Sequence, residues 1–345
     1  MIHLLTWVLV GLAAALGLLI VAIVVRRLDT NRRLRRERSL RPAIEAAMAG
    51  YVAGDDPEPP QFAASRAARE LLRTVALEAL TELRGGERQR VTTLLERASI
   101  VGDTAAELRS RRVRVRRSAA EALAQIASAA AAESMLTGVL DPDLDVRLSC
   151  ASGLAELGDQ EYVAAILVAA NRAAAERPGA TAAVLLTLGR RIPSSLGSAL
   201  ALTPDAAPEL RRLAAAVVGE LRLAEHAPAL RQALDSEDDE LVARAARGIG
   251  QIGDADAIDR LLRLLQEPER AWFVRVAVAG ALGALGDPRA ARPLEHELQS
   301  GSWLLQSKAA DALRLLGGSG EEVLRRALSF PVATVRDHAR VALEQ

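Results

Sequence analysis

The segment DVRLSCASGLAELGD at 145–159 returns as FVRVAVAGALGALGD at 273–287 and as ELVARAARGIGQIGD at 240–254. Weaker copies are VRVRRSAAEALAQIA from Val113, ELRRLAAAVVGELRL from Glu209 and WLLQSKAADALRLLGG from Trp303. Anchored at the position of Arg147, the copies place equivalent residues at Arg116, Arg147, Pro178, Arg211, Val242, Arg275, Gln306 and Arg336. Successive anchors are 30 to 33 residues apart. A period of that length is the mark of a repeat array, in which each unit buries its apolar face only against its neighbours.

Within each copy the apolar residues recur at helical spacing. Leu154 and Leu157 match Ile249 and Ile252, Leu282 and Leu285, and Leu313 and Leu316. A Gly-Asp pair follows at 158–159, 253–254 and 286–287, which suits a helix stop and a new start. A second periodic set follows, as in Leu230 and Leu234, Leu261 and Leu265, or Leu294 and Leu298. Half of the residues are apolar but only 2% are aromatic, so close packing must come from Ala, Leu and Val. The expected fold is all-α, with about eight to nine helical hairpins stacked as an α-α solenoid.

The pattern D-x-x-V-R-x-x-A-x-x-A-L-x-x-L-G-D resembles HEAT repeats, in the short form found in phycobilisome-lyase-like proteins. The resemblance covers residues 85–345, although 62–110 cannot be placed in register. The copies at Pro178 and Arg211 lack the Gly-Asp turn, so irregular stacking is expected there. The resemblance is specific for fold and not for activity, and with no catalytic motif in the sequence the function expected is a non-catalytic scaffold or adaptor for another protein. The resemblance also implies two alternatives, a chromophore-lyase-like protein or its chaperone and, with less support, a nucleic-acid binder.

Leu4 to Val25 form an apolar run without a charge, about 33 Å long as a helix. Arginines follow at Arg26, Arg27, Arg32, Arg33, Arg35, Arg36, Arg38 and Arg41, opposed only by Asp29 and Glu37. Basic residues beside a span stay on the cytoplasmic side. The expectation is therefore a single inner-membrane span over 1–25 with its N-terminus outside. A basic segment and the DDPEPP spacer would fill 26–61, the basic part against anionic lipid, and a cytoplasmic solenoid would occupy 62–345. The formal net charge of zero argues against a nucleic-acid-binding surface. The partner expected is a membrane-associated protein.

GIGQIG at 248–253 matches a dinucleotide fingerprint but follows a helical run instead of a strand, so it reads as packing. The anchor arginines read as an internal ladder, with Asp145, Glu209 and Glu240 two residues before their anchors as available partners. Cys150 reads as a buried thiol, and His3, His226, His296 and His338 are scattered without metal-ligand spacing. No catalytic, cofactor or metal site is expected. Two partner-binding surfaces are. Trp272 and Trp303 occupy the same place in adjacent repeats, in loops about 10 Å apart. Arg231, Arg260, Arg263, His296, Arg325 and Arg326 lie off the leucine stripe of the second helices and would line a basic concave groove.

Overall fold

The computed structural model of the 345-residue chain describes residues 39–55, 65–201, 207–267 and 269–345, all helix, turn or loop. They divide into two compact units, with the boundary between Ala106 and Glu107. That boundary falls within the stretch 62–110 that the repeat pattern left out of register.

The first unit contains α1 (residues 39–53), α2 (Arg66–Glu82), α3 (Gly85–Arg97) and α4 (Ile100–Glu107). Ser65 caps α2 by accepting a hydrogen bond from Ala68 N. Leu71, Leu72, Val75 and Ala76 on α2 and Val91, Leu94 and Leu95 on α3 are buried. The expected span at 4–25 lies outside the described residues, as do all the arginines of the basic run except Arg41. Among the described residues no helix is long and apolar enough to cross a membrane. The longest, α2, has 17 residues and carries Arg and Glu along its length. On this finding the single-pass inner-membrane location expected from the sequence is corrected and not carried further. Arg41 is engaged by Glu45 at 2.7 Å and by Glu78, so its charge is matched within the protein.

The second unit is a series of hairpins. They are α5 (Val113–Ile126) with α6 (Ala132–Gly138), α7 (Leu144–Leu157) with α8 (Val163–Ala173), and α9 (Pro178–Arg191) with α10 (Leu196–Leu200). Next come α11 (Pro208–Glu220) with α12 (Ala227–Ala233), α13 (Asp239–Ile252) with α14 (Ile258–Leu265), and α15 (Trp272–Leu285) with α16 (Ala291–Leu298). The last are α17 (Trp303–Leu315) with α18 (Gly318–Ala327), followed by α19 (Ala333–Glu344). Seven hairpins and a further first helix are thus in register, close to the eight copies read from the sequence. Each anchor is the fourth residue of its first helix except Pro178, which is the first residue of α9. The structural equivalent in that repeat is Thr181. The expected irregularity is visible here, since α10 has only five residues.

The first helices pack directly on one another along the series, α5 on α7 through to α17 on α19. The second helices pack mainly on first helices, so the first helices make the tighter layer. Small residues permit this approach. A Cβ placed on Gly250 of α13 would lie 2.8 Å from Ala281 Cα of α15, and one on Gly283 would lie 2.6 Å from Ala312 Cα of α17. The GIGQIG stretch is accounted for in this way. Gly248 meets Gly219 of α11, Gly250 meets Ala281, and Gly253 ends α13 with φ at 84°. Gly158 and Gly286 end α7 and α15 in the same left-handed conformation. The aspartates that follow cap the next turn, Asp159 accepting from Glu161 N and Asp287 from Arg289 N. Cys150 is buried in this layer, and burial pushes its thiol up to about 12. The second-helix leucines Leu230, Leu234, Leu261, Leu265, Leu294 and Leu298 are all buried.

Candidate functional site

Arginine chemistry separates the groups that hold the array together from those left over. Four of the eight anchors secure their own repeats. Arg116 donates to Ser110 O at 3.1 Å, Arg147 to Asp141 O, Gln306 to Ser300 O and Arg336 to Phe330 O at 2.7 Å. Each acceptor lies six residues before its anchor, in the turn that leads into the helix. Two anchors, Arg116 and Arg275, reach carboxylates. Arg116 grips Asp141 bidentately at 2.7 and 3.0 Å, and Arg275 pairs with Glu297.

Arg116 thereby joins neighbouring repeats as expected of an anchor, but further links between repeats are made by other arginines, which the sequence reading missed. Arg117 binds both oxygens of Asp143, the N-cap of α7, and Arg212 binds Asp238, the N-cap of α13, at 2.8 Å. The Arg117 guanidinium holds the Asp143 carboxyl below its usual range against the opposing effect of burial. Burial works to raise Asp238, but Arg212 and the Leu241 N–H outweigh it and the net shift is downward. Asp145, Glu209 and Glu240 do join the ladder, as partners of Arg117, Arg177, Arg212 and Arg244 instead of the anchors. The signal available in the sequence was the second arginine of each pair, Arg116-Arg117 and Arg211-Arg212, 26 residues before an aspartate.

The proposed basic groove on the second helices is mostly neutralised. Arg231 binds Asp254 at 2.7 Å, and Arg260 binds Asp235 and Glu267, each at 2.7 Å. Arg325 is paired with Glu321 and Arg326 with Glu295. Arg263 and His296 are exposed. The groups therefore sit on the second helices as expected, but four of the six have carboxylates beside them and contribute little net positive field.

The tryptophans are different. Each is the first residue of a first helix, not a loop residue, and they rank among the more exposed large side chains, Trp272 at 55% and Trp303 at 65%. Trp272 stands edge-on to Phe273, with ring centroids 6.0 Å apart. Trp303 lies beside the His338 ring of α19 at 5.5 Å, so part of its surface covers the next helix while most of it meets solvent. Positions three before, and one, five and nine after, the anchor form a strip on one side of each first helix, which reaches solvent except at Leu148 of α7 and Ala243 of α13. Apart from α15, these strips carry charged or other polar groups. Examples are Arg117, Glu121 and Gln125 on α5, Asp239, Arg247 and Gln251 on α13, and Ser307 and Asp311 on α17. On α15 the same four positions are Trp272, Val276, Gly280 and Ala284.

Comparison with known proteins agrees with this architecture. Residues 193–273 and 227–314 match HEAT repeats, and 115–141 and 146–172 match the PBS lyase HEAT-like repeat. No curated protein matches the chain. Among solved structures, a mutant of Kap121p is similar with a TM-score of 0.53 at 13% identity, over 91% of this chain and 42% of that one. Kap121p bound to Ste12p gives 0.51 at 13% identity, over 81% and 37%. The chain thus spans less than half the length of these Kap121p chains. Human deoxyhypusine hydroxylase covers 88% of this chain and 95% of its own at 17% identity, but its TM-score of 0.30 supports no argument about activity. Residues 115–172 and 193–314 thus carry PBS-lyase HEAT-like and HEAT repeats, and among the described residues the fold is all-helical and solenoid-like.

Proposed function

We propose that the protein is a non-catalytic scaffold that binds another protein through the outward side of its first helices. The observation that carries this reading is the placement of Trp272 and Trp303. Two large aromatic side chains open consecutive first helices and remain more than half exposed. Leaving such surface in water is unfavourable by roughly 25 cal/mol per Å² of apolar area, and tryptophan is a preferred anchor at protein interfaces. The HEAT solenoid supports the reading, as does the similarity in fold to Kap121p, whose structure with Ste12p is that of a complex. The second-helix basic residues are a weaker candidate because carboxylates already occupy most of them. No observation favours the chromophore-lyase-like alternative over the scaffold.

The test is crosslinking of the full chain in cells followed by recovery of bound protein. A Trp272→Ala, Trp303→Ala double variant should lower recovery of the main partner about tenfold or more, as loss of interface anchors does. The Arg263→Glu variant, which breaks no ion pair among the described residues, should leave it nearly unchanged. Recovery that is indifferent to the tryptophans would remove the basis of the proposal.

A further inference from the structure

The strip on α15 is unusual among the first helices in carrying no polar side chain at its four outward positions. Trp272 and Ala284 are exposed and Val276 and Gly280 half-buried, so the strip is open to solvent along three turns. Its 12-residue span corresponds to about 18 Å, a length that three turns of another helix would match. Glycine at 280 lowers the middle of the strip, where a side chain would otherwise stand between the flanking helices.

The flanks carry a charge imbalance. On α13 the carboxylates Asp239 and Glu240 have arginine partners, and Arg244 pairs with Glu240, whereas Arg247 is exposed with no ion pair among the described residues. On α17, Lys308 and Asp311 likewise have no ion pair among the described residues. Two unmatched cations, Arg247 and Lys308, thus stand on either side of the strip against one unmatched anion. Lys308 reaches its centre, since its Cε lies 2.9 Å from where a Cβ on Gly280 would be. An apolar strip with an unmatched cation on each side is complementary to an apolar stripe flanked by carboxylates.

We infer that α15 seats an amphipathic helix of a partner protein, its apolar stripe on Trp272, Val276, Gly280 and Ala284 and its carboxylates toward Arg247 and Lys308. This deepens the scaffold reading and rests on it. The single anion, Asp311, gives the seat a direction, because it lies one turn beyond Lys308 and favours a base at that end of the incoming helix.

The test uses the full chain and labelled 18-residue helical peptides with one leucine stripe, flanked by Glu in one and by Lys in the other. Fluorescence anisotropy at low salt should show the Glu-flanked peptide binding at least tenfold more tightly than the Lys-flanked one, with the difference shrinking in 0.5 M salt. Gly280→Glu should weaken the Glu-flanked peptide at least tenfold. This substitution is expected to fold, because only the flexible end of Lys308 must move aside and glycine is a poor helix former. An Arg247→Glu, Lys308→Glu variant should reverse the preference. Equal binding of both peptides, binding of neither, or indifference to Gly280→Glu overturns the inference. So does self-association of the chain that Gly280→Glu abolishes, which would make the occupant a second copy. Cellular partner recovery that falls with the tryptophan pair but not with Gly280→Glu would sink this seat and leave the scaffold reading standing.

Discussion

Gly250 of α13 and Ala281 of α15 approach so closely that a Cβ on the glycine would sit 2.8 Å from the alanine Cα, a backbone atom that cannot turn aside. Gly250→Ala should therefore force the two first helices apart. Overpacking of this kind costs about 1–3 kcal/mol, more than the gain in helix propensity. Urea denaturation should show a lower midpoint, with Gly283→Ala behaving alike because its Cβ would meet Ala312 Cα at 2.6 Å. Gly280→Ala, whose only near neighbour is the end of Lys308, should be neutral or stabilising.

Ala127 and Arg222 hold left-handed backbone, φ 50° and 52°, at the turns where other repeats place Gly158, Gly253 and Gly286. A side chain there costs on the order of 1 kcal/mol that glycine avoids. Ala127→Gly and Arg222→Gly should each stabilise by roughly 0.5–1 kcal/mol, read as a higher denaturation midpoint at unchanged slope. No gain in either variant would contradict the strain assigned to these turns.

Asp143 and Asp238 both lie below their ordinary value of 3.8. A carboxyl whose folded pKa is depressed contributes stability that is complete above the unfolded value and lost as pH falls through the folded one. Acid should thus weaken the repeats below about pH 4. Asp143→Asn with Asp238→Asn keeps the helix caps but removes the charge, and should cost about 1 kcal/mol at pH 7, a modest figure because Arg117 is well exposed. The signature is a flatter pH dependence between 4 and 2 in thermal melts.

Glu297 behaves in the opposite sense. Burial raises its pKa above 4.5, against the lowering effects of Arg275 and then His296. Its contribution is greatest below the unfolded value and declines as pH rises through the folded one. Arg275→Ala would strand this buried carboxylate and should destabilise by about 3 kcal/mol at pH 7. Adding Glu297→Gln should recover part of that loss, and a double variant no better than Arg275→Ala would show that the pair is not coupled.

Much of the architecture was legible in the sequence because it rests on local periodicity. Leu282 and Leu313, or Leu261 and Leu265, could be assigned to the interior from spacing alone. The register failed at Pro178, where the proline begins α9 and the equivalent of Arg147 is Thr181, three residues on. Spacing could not reveal charge partners. Arg117 and Asp143 meet only because one first helix stacks on the next, and Arg260 is satisfied by Asp235 from the preceding turn and Glu267 beyond its own helix. The tryptophans were found from their 31-residue separation. The bare strip on α15 was missed, because Val276, Gly280 and Ala284 look like core until the structure shows which side of the helix faces water.

The bond from an anchor to the carbonyl six residues earlier, made at Arg116, Arg147, Gln306 and Arg336, closes within a single repeat. The Arg117–Asp143 link, by contrast, joins neighbours at a fixed offset. An array built on these two rules can lengthen or shorten by whole copies through unequal recombination. The bonds that close within one copy would survive such an event, and the contacts at the new junction would have to be re-formed. Divergence of the α15 strip could then proceed in one copy while the others kept the stack intact.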